Sequence, residues 1–361
     1  MPNKIILLTG GGTAGHVVPN LALLPALRQF GFTAEYAGQS GGIEQRLAEE
    51  AGLRFHAVSA GKLRRYLSWK NISDVGRTLK GVADAVGVIR RARPVVVFSK
   101  GGFVSVPVVV AARLCGVPAV IHESDITPGL ANRLAAPFAS RFLVSWPETA
   151  RDLGRKAVFT GAPIRAELLE GGRAAGLRFL GFSGAKPVLL VMGGSLGAAA
   201  VNVVVRRTLP SLTAEFDVAH VCGKGGTDAS IRTVGYRQLE YIGAELADVY
   251  AAAAVCLSRA GAGACFELTA AAIPTVYMPL TKRQSRGDQI LNAASLAARG
   301  YCEVADEDTA APEEVVRRIR AVYADRDAYS ERMRQTSAKP AETALRVVSH
   351  ITQCAKKAKG G

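Results

Sequence analysis

The stretch KIILLTGGGTAGHVVPN, residues 4 to 20, indicates the fold class, because a short apolar strand runs directly into a cluster of glycines. Gly10, Gly12 and Gly15 fit the G-x-G-x-x-G pattern, in which backbone N–H groups and a helix N-terminus approach a phosphate. A NAD site also requires an acidic residue about 20 positions further on, at the end of the second strand. Glu35 is near that distance but lies inside the predicted strand FTAEYAG. The ligand therefore stays open between NAD and another phosphorylated molecule.

Length and composition favour two domains of the α/β class. The chain has 361 residues, whereas an ordinary domain has roughly 100 to 200. Of these residues, 49% are hydrophobic and only 6% are aromatic, which is typical of apolar strands covered by helices on both faces. We expect a soluble protein with a substantial core in each domain.

Cysteine spacing and apolar runs argue against several classes of protein. The six cysteines include no C-x-x-C pair, so we expect reduced, mostly buried thiols and neither a zinc site nor a disulfide framework. Residues 1–9 are interpreted as the start of a strand rather than a signal peptide. The longest other apolar stretch, residues 107–121, is broken by Arg113 and too short to cross a bilayer. The sequence predicts a protein that is cytosolic or peripheral on a membrane.

Positive charge is concentrated in the first half of the chain. The formal net charge is +15, and residues 1–160 hold 20 Lys and Arg against 10 Asp and Glu. Within residues 54–100 there are 11 basic residues and two acidic ones. Such an excess attracts nucleic acid, phosphorylated substrates or an anionic membrane, and a solvated basic face is the alternative interpretation.

Apolar strand-like runs alternate with helical runs in two successive series, which predicts two parallel sheets with helical crossovers. The first series includes a helix from about Val18 to Gln29. The pattern loosens over residues 161–187, which we interpret as an interdomain connection. PVLLVMGGSLGAAAVN, from residue 187, then repeats the opening order of strand, glycines and helix, and LEYIG at residues 239–243 is strand-like.

These boundaries predict domains at residues 1–163 and 164–337, with a C-terminal helix over residues 338–361 placed to pack back on the first domain. Both glycine loops fall at the carboxyl ends of their sheets, where ligands of open α/β folds bind. A cleft between the two domains is the expected active site.

Two groups of polar residues follow strands in the first domain. His16 directly follows the glycine loop, and a neutral imidazole there can accept a proton from an attacking hydroxyl, although capping or packing is the alternative. His122, Glu123 and Asp125 follow the strand PAVI, where polar residues usually serve a ligand. Since no second cluster offers further ligands, we expect binding here rather than a metal site.

Two comparable junctions lie in the second domain. In SRAGAGACFE, residues 258–267, the helix N-terminus can face a diphosphate with Arg259 as a charge partner. Glu267 can accept hydrogen bonds from two ribose hydroxyls, or can simply face solvent. In SRGDQILNA, Asp288 and Gln289 can bind sugar hydroxyls, and a plain N-cap role is the alternative for Asp288.

GKLRRYLSWKNI, residues 61–72, mixes basic, aromatic and aliphatic side chains in a way that suits an anionic lipid surface. A basic surface over ordinary core residues is the alternative. The expected membrane contacts are Leu63, Arg64, Arg65, Tyr66, Leu67 and Trp69.

Six motifs in order along the chain, GGTAGH, HES, GAPIR, GGSLG, SRAGA with Glu267, and DQ-x-x-N, together resemble the MurG family of N-acetylglucosaminyltransferases. The resemblance covers nearly the whole chain. It departs from the family pattern at Ala14, Leu196, Asp125 and Asp288, where glycine, glutamine, asparagine and glutamine are usual, which is typical of a divergent branch.

The resemblance implies a GT-B fold, with two Rossmann-like doubly wound domains facing across a cleft and the donor nucleotide in the C-terminal one. It implies His16 as the general base with Glu123 in support, Ile242 at the uracil through its backbone, and Gln289 at the sugar. The other donor-binding positions that it implies, for the diphosphate, ribose and sugar, are Thr13, Ala14, Gly15, Asp125, Arg165, Ser195, Arg259, Ala262, Gly263, Ala264, Cys265, Phe266, Glu267 and Asp288.

The implied activity is inverting, metal-independent transfer of GlcNAc from UDP-GlcNAc to O4 of the muramyl unit of lipid I, which gives lipid II for peptidoglycan. The implied partners are UDP-GlcNAc, undecaprenyl-linked lipid I and an anionic membrane, with no cofactor, no metal and no nucleic acid. We therefore expect the protein at the cytoplasmic face of the cell membrane. The alternatives are another GT-B enzyme, such as a glycolipid glycosyltransferase or a UDP-GlcNAc 2-epimerase, and a NAD-dependent dehydrogenase. A nonenzymatic nucleic-acid binder would use the positive charge, but no recognised RNA or DNA module is present.

Overall fold

The computed structural model describes residues 4–61, 70–194, 197–336 and 338–357. The chain divides into two compact units, Met1–Arg165 with Pro340–Gly361 and Ala166–Lys339. Each unit contains one parallel sheet and its helices, so the predicted α/β class with two parallel sheets is confirmed.

Unit 1, which comprises Met1–Arg165 and Pro340–Gly361, has a seven-stranded sheet in the order β3-β2-β1-β4-β5-β6-β7. All its strand pairs are parallel, and Thr9 at the end of β1 aligns with Ser99 at the end of β4. Its strands are β1 Lys4–Thr9, β2 Phe32–Gly38, β3 Arg54–Ala57, β4 Val96–Ser99, β5 Ala119–Glu123, β6 Arg141–Val144 and β7 Ala157–Phe159. The helices between them are α1 Ala14–Leu21, α2 Leu24–Gln29, α3 Ile43–Glu50, α4 Lys70–Ala92, α5 Ser105–Leu114, α6 Leu130–Ala135 and α7 Pro147–Leu153, with short 3₁₀ helices at Ala136–Phe138 and Gly154–Lys156.

Unit 2, Ala166–Lys339, has a six-stranded parallel sheet in the order β10-β9-β8-β11-β12-β13. Its strands are β8 Val188–Met192, β9 Asp217–Val221, β10 Tyr236–Leu239, β11 Ala253–Ser258, β12 Thr275–Tyr277 and β13 Cys302–Val304. Its helices are α8 Arg173–Leu180, α9 Ala199–Arg207, α10 Leu209–Glu215, α11 Leu246–Ala252, α12 Ala262–Ala270, α13 Asp288–Ala298, α14 Pro312–Ala324 and α15 Arg326–Thr336, with a 3₁₀ helix at Ala166–Leu169.

The last helix, α16 Pro340–Lys357, belongs to unit 1. Successive side chains of a strand point to opposite faces of the sheet, and β1 shows why its sequence is continuously apolar. Ile6 and Leu8 pack in one buried cluster, whereas Leu7 packs in the other. Val347 and Ile351 of α16 are fully buried in the cluster that contains Ile6 and Leu8. The chain thus returns to cover one face of the first sheet.

Two local expectations were wrong, and a third held only in part. The predicted helix from Val18 to Gln29 is two helices, because the chain turns after Leu21 and α2 restarts with Pro25 in its first turn. The boundary between the units falls within the stretch 161–187, at Arg165, as expected of a connection, but the rest of the stretch belongs to unit 2 and contains α8 and a 3₁₀ helix. The strand expected at LEYIG ends at Leu239, where β10 stops pairing with Val221 of β9. No helix within the four described ranges is both long and apolar enough to cross a bilayer.

Candidate active site

The glycine motifs lie where the strand order of each sheet reverses, which is the usual ligand position in open parallel sheets. In unit 1 the reversal falls between β1 and β4, so the loops there begin at Gly10 and Lys100. In unit 2 it falls between β8 and β11, and the loops begin at Gly193 and Arg259. Each unit therefore has a pair of loops at the position expected for a ligand.

Thr13, Ala14 and Gly15, the residues expected near the donor's diphosphate, form the N-terminus of α1. Thr13 is the N-cap and makes no side-chain cap hydrogen bond. Thr13 and Gly15 are exposed and Ala14 is half-buried. The first backbone N–H groups of a helix lack intrahelical partners and carry partial positive charge. These residues can therefore donate hydrogen bonds to an anionic or hydroxyl group.

His16 lies in the first turn of α1, beside the loop that follows β4. Its Nδ1 atom is 3.0 Å from the backbone oxygen of Lys100. Because a carbonyl oxygen only accepts, Nδ1 carries a ring hydrogen, so in the neutral imidazole Nε2 carries the lone pair. The imidazole thus presents the nitrogen that a general base requires in a defined tautomer. Thr13, rather than His16, is the N-cap, so the capping alternative is wrong.

Glu123 organises the segment after β5. Its carboxylate accepts hydrogen bonds from the backbone N–H groups of Ser124, Asp125 and Gly129 at 2.8, 3.0 and 2.8 Å, and from Asn132 Nδ2 at 2.9 Å. The residue is only 4% exposed. All four donors belong to one loop and the helix that follows, so Glu123 fixes the course of this loop. The acceptor for the His16 ring hydrogen is the Lys100 carbonyl instead.

The other expected residues of unit 1 differ in how they are placed. Asp125 is half-buried in the loop that Glu123 organises. Arg165 is half-buried, and its Nε atom is shielded from water without a hydrogen-bond partner within the described ranges. Several expected contacts lie outside the described residues: Ser195 and the membrane contacts Leu63, Arg64, Arg65, Tyr66, Leu67 and Trp69.

The expected diphosphate and ribose segment of unit 2 is the N-terminal half of α12. Gly261 is its N-cap, with no side-chain cap hydrogen bond and no acidic residue in the first turn. Such an N-terminus favours an anion. Glu267, one turn further on, accepts a hydrogen bond from the Tyr250 hydroxyl at 3.1 Å. The side chain is half-buried and bonded to this hydroxyl. The remaining expected positions of this helix are Ala262, Gly263, Ala264, Cys265 and Phe266, of which Ala262 and Cys265 are buried.

Arg259 is buried at the reversal point of unit 2. Its guanidinium forms an ion pair with Glu307 and donates to the Met278 carbonyl at 2.8 Å. Both side chains of the ion pair are 8% exposed. The positive charge at this position is therefore largely offset by a carboxylate of the same unit.

The last three expected positions lie around β10 and the start of α13. Ile242 is buried, beside the exposed Tyr241. Asp288 pairs with Arg286 and is the first residue of α13, whereas Gly287 is the N-cap, so the N-cap alternative is wrong. Gln289 accepts a hydrogen bond from the Leu280 backbone at 3.0 Å. The amide of Gln289 is thus fixed in orientation at a helix N-terminus.

The structure adds residues that the sequence analysis missed. Lys100, Glu44, Tyr250 and Glu307 are charged or phenolic groups that contact the expected loops from elsewhere in the chain. Of these, Lys100 could have been recognised from the sequence, because it follows the buried strand β4 and precedes two glycines. Within the described residues, His, Cys, Asp and Glu do not group in threes as a metal site requires.

Comparisons with known proteins extend over nearly the whole chain. Residues 6–144 match the model of the glycosyltransferase family 28 N-terminal domain, and residues 188–348 match that of the C-terminal domain. Two relatives bear the name UDP-N-acetylglucosamine–N-acetylmuramyl-(pentapeptide) pyrophosphoryl-undecaprenol N-acetylglucosamine transferase. The one from Clostridium botulinum strain Hall is 47% identical over 91% of this chain and 94% of its own, and the one from Geobacillus thermodenitrificans is 47% identical over 97% and 99%.

A solved structure agrees with these matches. The crystal structure of Acinetobacter baumannii MurG matches with a TM-score of 0.73 at 25% identity and covers 97% of this chain and 99% of its own. The two Rossmann-like sheets, together with this match, confirm the predicted GT-B class.

Proposed function

Because the chain belongs to glycosyltransferase family 28, we propose that it transfers N-acetylglucosamine from UDP-N-acetylglucosamine to the muramyl unit of lipid I, which gives lipid II for peptidoglycan. The observation that carries this proposal is the 47% identity to a transferase named for this reaction, over 97% of the chain. Such coverage includes both units and every motif discussed above.

The donor is assigned to unit 2. The uncapped N-terminus of α12 can hold the diphosphate, because its first N–H groups point along the helix axis toward an anion. Glu267 can bind the ribose hydroxyls with its carboxylate held by Tyr250. Gln289, at the start of α13, is the residue proposed for the sugar, and the backbone of Ile242 for the uracil.

His16 is the proposed base for the acceptor. Its Nε2 atom takes the proton from O4 of the muramyl unit while that oxygen forms a bond to the anomeric carbon. The bond between the anomeric carbon and the β-phosphate oxygen breaks, and UDP leaves with the electron pair. Because attack and departure occur on opposite sides, the configuration at this carbon inverts. Negative charge grows on the leaving diphosphate, where the α12 N-terminus can stabilise it.

An exposed apolar surface on unit 1 supports a lipid-linked acceptor. The helices α4, α5 and α6 and the 3₁₀ helix Ala136–Phe138 pack side by side. They expose five large apolar side chains: Leu79, Leu114, Leu130, Leu134 and Phe138, with 66, 69, 41, 41 and 38% of their surface exposed. Arg113 and Arg133 precede two of them directly. Apolar residues beside cations suit an anionic bilayer, so we infer peripheral binding at the cytoplasmic face of the cell membrane.

Product analysis tests the function. Purified protein is incubated with UDP-GlcNAc and lipid I, and the lipid is examined by mass spectrometry. We expect lipid I to gain one GlcNAc unit with one UDP released for each. Two results would contradict the proposal: conversion of UDP-GlcNAc to its 2-epimer without acceptor, and transfer to a diacylglycerol acceptor but not to lipid I.

A further inference from the structure

A lysine side chain is buried at the reversal point of the first sheet. Lys100 follows β4 and is only 1% exposed. Lysine is almost never fully buried, because removing an ammonium from water costs several kcal/mol unless its partners compensate. Within the described part of the chain, its amino group contacts an imidazole and a hydroxyl and no carboxylate. A buried lysine with such partners, next to expected catalytic loops, is a candidate for function.

The backbone of Lys100 connects β1 to His16. Its N–H donates to the Thr9 carbonyl at 3.0 Å, which continues the pairing of β4 with β1. Its own carbonyl accepts the Nδ1 hydrogen of His16 at 3.0 Å. The next two residues, Gly101 and Gly102, have φ of +84° and +83°, and a Cβ on Gly102 would lie 2.2 Å from the Gly11 carbonyl. The turn after β4 is therefore packed tightly against the first glycine loop.

The side chain of Lys100 connects this turn to the end of β5. Its Nζ atom is 2.7 Å from His122 Nδ1 and 2.7 Å from Ser124 Oγ. His122 Nε2 is 3.0 Å from the Gly161 carbonyl, so Nε2 carries the ring hydrogen and Nδ1 accepts from Lys100. Ser124 begins the loop that Glu123 organises. One residue thus joins the histidine of the first loop to the loop after β5.

We propose that Lys100 is a positioning residue for the transfer step: its carbonyl orients the His16 imidazole, and its buried amino group fixes the turn that carries this carbonyl. The proposal rests on the proposed function, because it takes His16 as the base. Glycosyl transfer requires the base to stay within hydrogen-bond reach of the acceptor hydroxyl, and a displacement of about 1 Å can cost on the order of 100-fold in rate.

The electrostatic surroundings agree with this geometry. Burial lowers the pKa of Lys100 to about 7, and the negative charges of Glu123 and Asp125 oppose this shift. Burial and the charge of Lys100 hold the pKa of His122 well below its usual range, so His122 stays neutral and keeps its tautomer. The ammonium and the carbonyl that accepts from His16 belong to the same residue, so a protonated Lys100 places a like charge in the neighbourhood of that imidazole.

Lys100→Met tests the proposal, because methionine fills similar space without a charge or a donor. We expect kcat for lipid II formation to fall at least about tenfold, with KM for UDP-GlcNAc changed less than about twofold. The acid limb of the kcat–pH profile should move to higher pH, because a like charge near the base has been removed. Ser124→Ala, which removes one acceptor of the amino group, should reduce kcat by a smaller factor and tests the same link if Lys100→Met does not fold.

Lys186→Met is the matched control. Lys186 is half-buried in unit 2, and its Nζ donates to the Thr213 carbonyl at 2.6 Å. This variant removes a hydrogen-bonded lysine far along the chain from the loops of unit 1, so kcat and its pH profile should stay at the wild-type values. The proposal is overturned if folded Lys100→Met keeps kcat within about twofold of wild type, or if its kcat falls without a change in the pH profile.

A second readout needs no substrate, so it separates failure of the proposal from failure of the proposed function. The chain has five histidines, and ¹⁵N long-range correlation spectra report the tautomer and pKa of each, with His16→Ala to assign the His16 signals. We expect a single Nδ1–H tautomer at His16 in the wild type, and a mixture with a raised imidazole pKa in Lys100→Met. Identical His16 spectra in both proteins would overturn the proposal. A wild type that forms no lipid II would overturn the proposed function alone.

Discussion

The carboxylate of Glu44 accepts a hydrogen bond from the backbone N–H of Gly12 at 3.3 Å, inside the glycine loop that follows β1. Its other oxygen accepts from the Gln39 N–H at 3.2 Å, and the residue is 1% exposed. A Cβ on Gly11 or Gly42 would lie within 2.7 Å of this carboxylate. A side-chain anion thus occupies part of the loop where a dinucleotide phosphate binds in the NAD-dependent enzymes, which agrees with assigning the nucleotide to unit 2.

The fit of Glu44 among the glycines predicts that the effects of substituting Glu44 and Gly11 on stability are coupled. Gly11→Ala should destabilise unit 1, because its methyl group would lie 2.6 Å from Glu44 Oε1. In the double variant with Glu44→Ala the carboxylate is gone, so the combined loss of unfolding free energy should be smaller than the sum of the single losses. We expect a coupling of about 1–3 kcal/mol in a double-mutant cycle measured by urea unfolding.

The control for this cycle is Gly76→Ala. Gly76 lies in α4, is exposed, and a Cβ there meets no atom of the described residues within 4 Å. Alanine in such a helical position should leave stability unchanged or raise it by about 0.5–1 kcal/mol. Strict additivity of Gly11→Ala and Glu44→Ala would show that the carboxylate does not fill the loop as described.

Lys100 predicts a rise in stability above neutral pH. Its pKa is about 7 in the folded protein and near its ordinary value of 10.5 in the unfolded chain. Between these values the unfolded chain binds the extra proton, so the unfolding free energy increases with pH. Relative to Lys100→Met, we expect wild-type stability to gain about 1.4 kcal/mol for each pH unit above 7. Chemical unfolding of both proteins from pH 6 to 9 measures the difference. If the unfolding free energies of the two proteins change with pH in parallel, the burial of the Lys100 amino group is contradicted.

The fold could be predicted from the sequence because the signals are local. The apolar runs that form β1, β4 and β5 alternate between two faces that are mostly buried and stop at glycine or polar residues. The predicted ends of helices were wrong where a break of only a few residues divides two helices, as between α1 and α2. The strand β10 was misplaced because its Tyr236–Leu239 segment is only partly buried and carries little apolar pattern.

The site could be predicted only in part. Motif positions such as His16 and Glu267 follow strands and so are visible in the sequence. Their partners are not, because Lys100 reaches His122, Tyr250 reaches Glu267 and Glu307 reaches Arg259 through folding of distant segments. Charges that are buried in pairs look the same in a sequence as charges on a solvated surface.

The hydrogen bond from Tyr250 to Glu267 predicts an effect on donor affinity. Tyr250→Phe removes the donor that orients the carboxylate, so KM for UDP-GlcNAc should rise about three- to tenfold, with little change in kcat. Tyr329→Phe removes a similar bond, from Tyr329 to Glu303, elsewhere in unit 2 and should leave KM unchanged. With a 2′-deoxyribose analogue of the donor, the difference in KM between Tyr250→Phe and wild type should mostly disappear. Equal KM values for Tyr250→Phe and wild type would argue against ribose binding by Glu267.

The exposed leucines of unit 1 predict binding to anionic vesicles. Replacing Leu79 and Leu114 with serine removes apolar area worth about 1.5–3 kcal/mol per side chain if fully inserted. Sedimentation with phosphatidylglycerol vesicles should therefore fall at least about tenfold, while donor affinity stays constant. Val203→Ser, which changes an exposed apolar residue of unit 2, is the control. Unchanged sedimentation of the double variant would place the membrane contact elsewhere.

The most direct measurement is the single-turnover rate of GlcNAc transfer to lipid I by wild type and His16→Ala, with donor affinity measured in parallel. We predict that His16→Ala lowers the rate by about 100- to 10,000-fold, because the variant lacks the base, while its Kd for UDP-GlcNAc stays within about twofold of wild type. Transfer by His16→Ala at the wild-type rate would contradict the account. A lower rate that is explained entirely by weaker binding of UDP-GlcNAc would also contradict it.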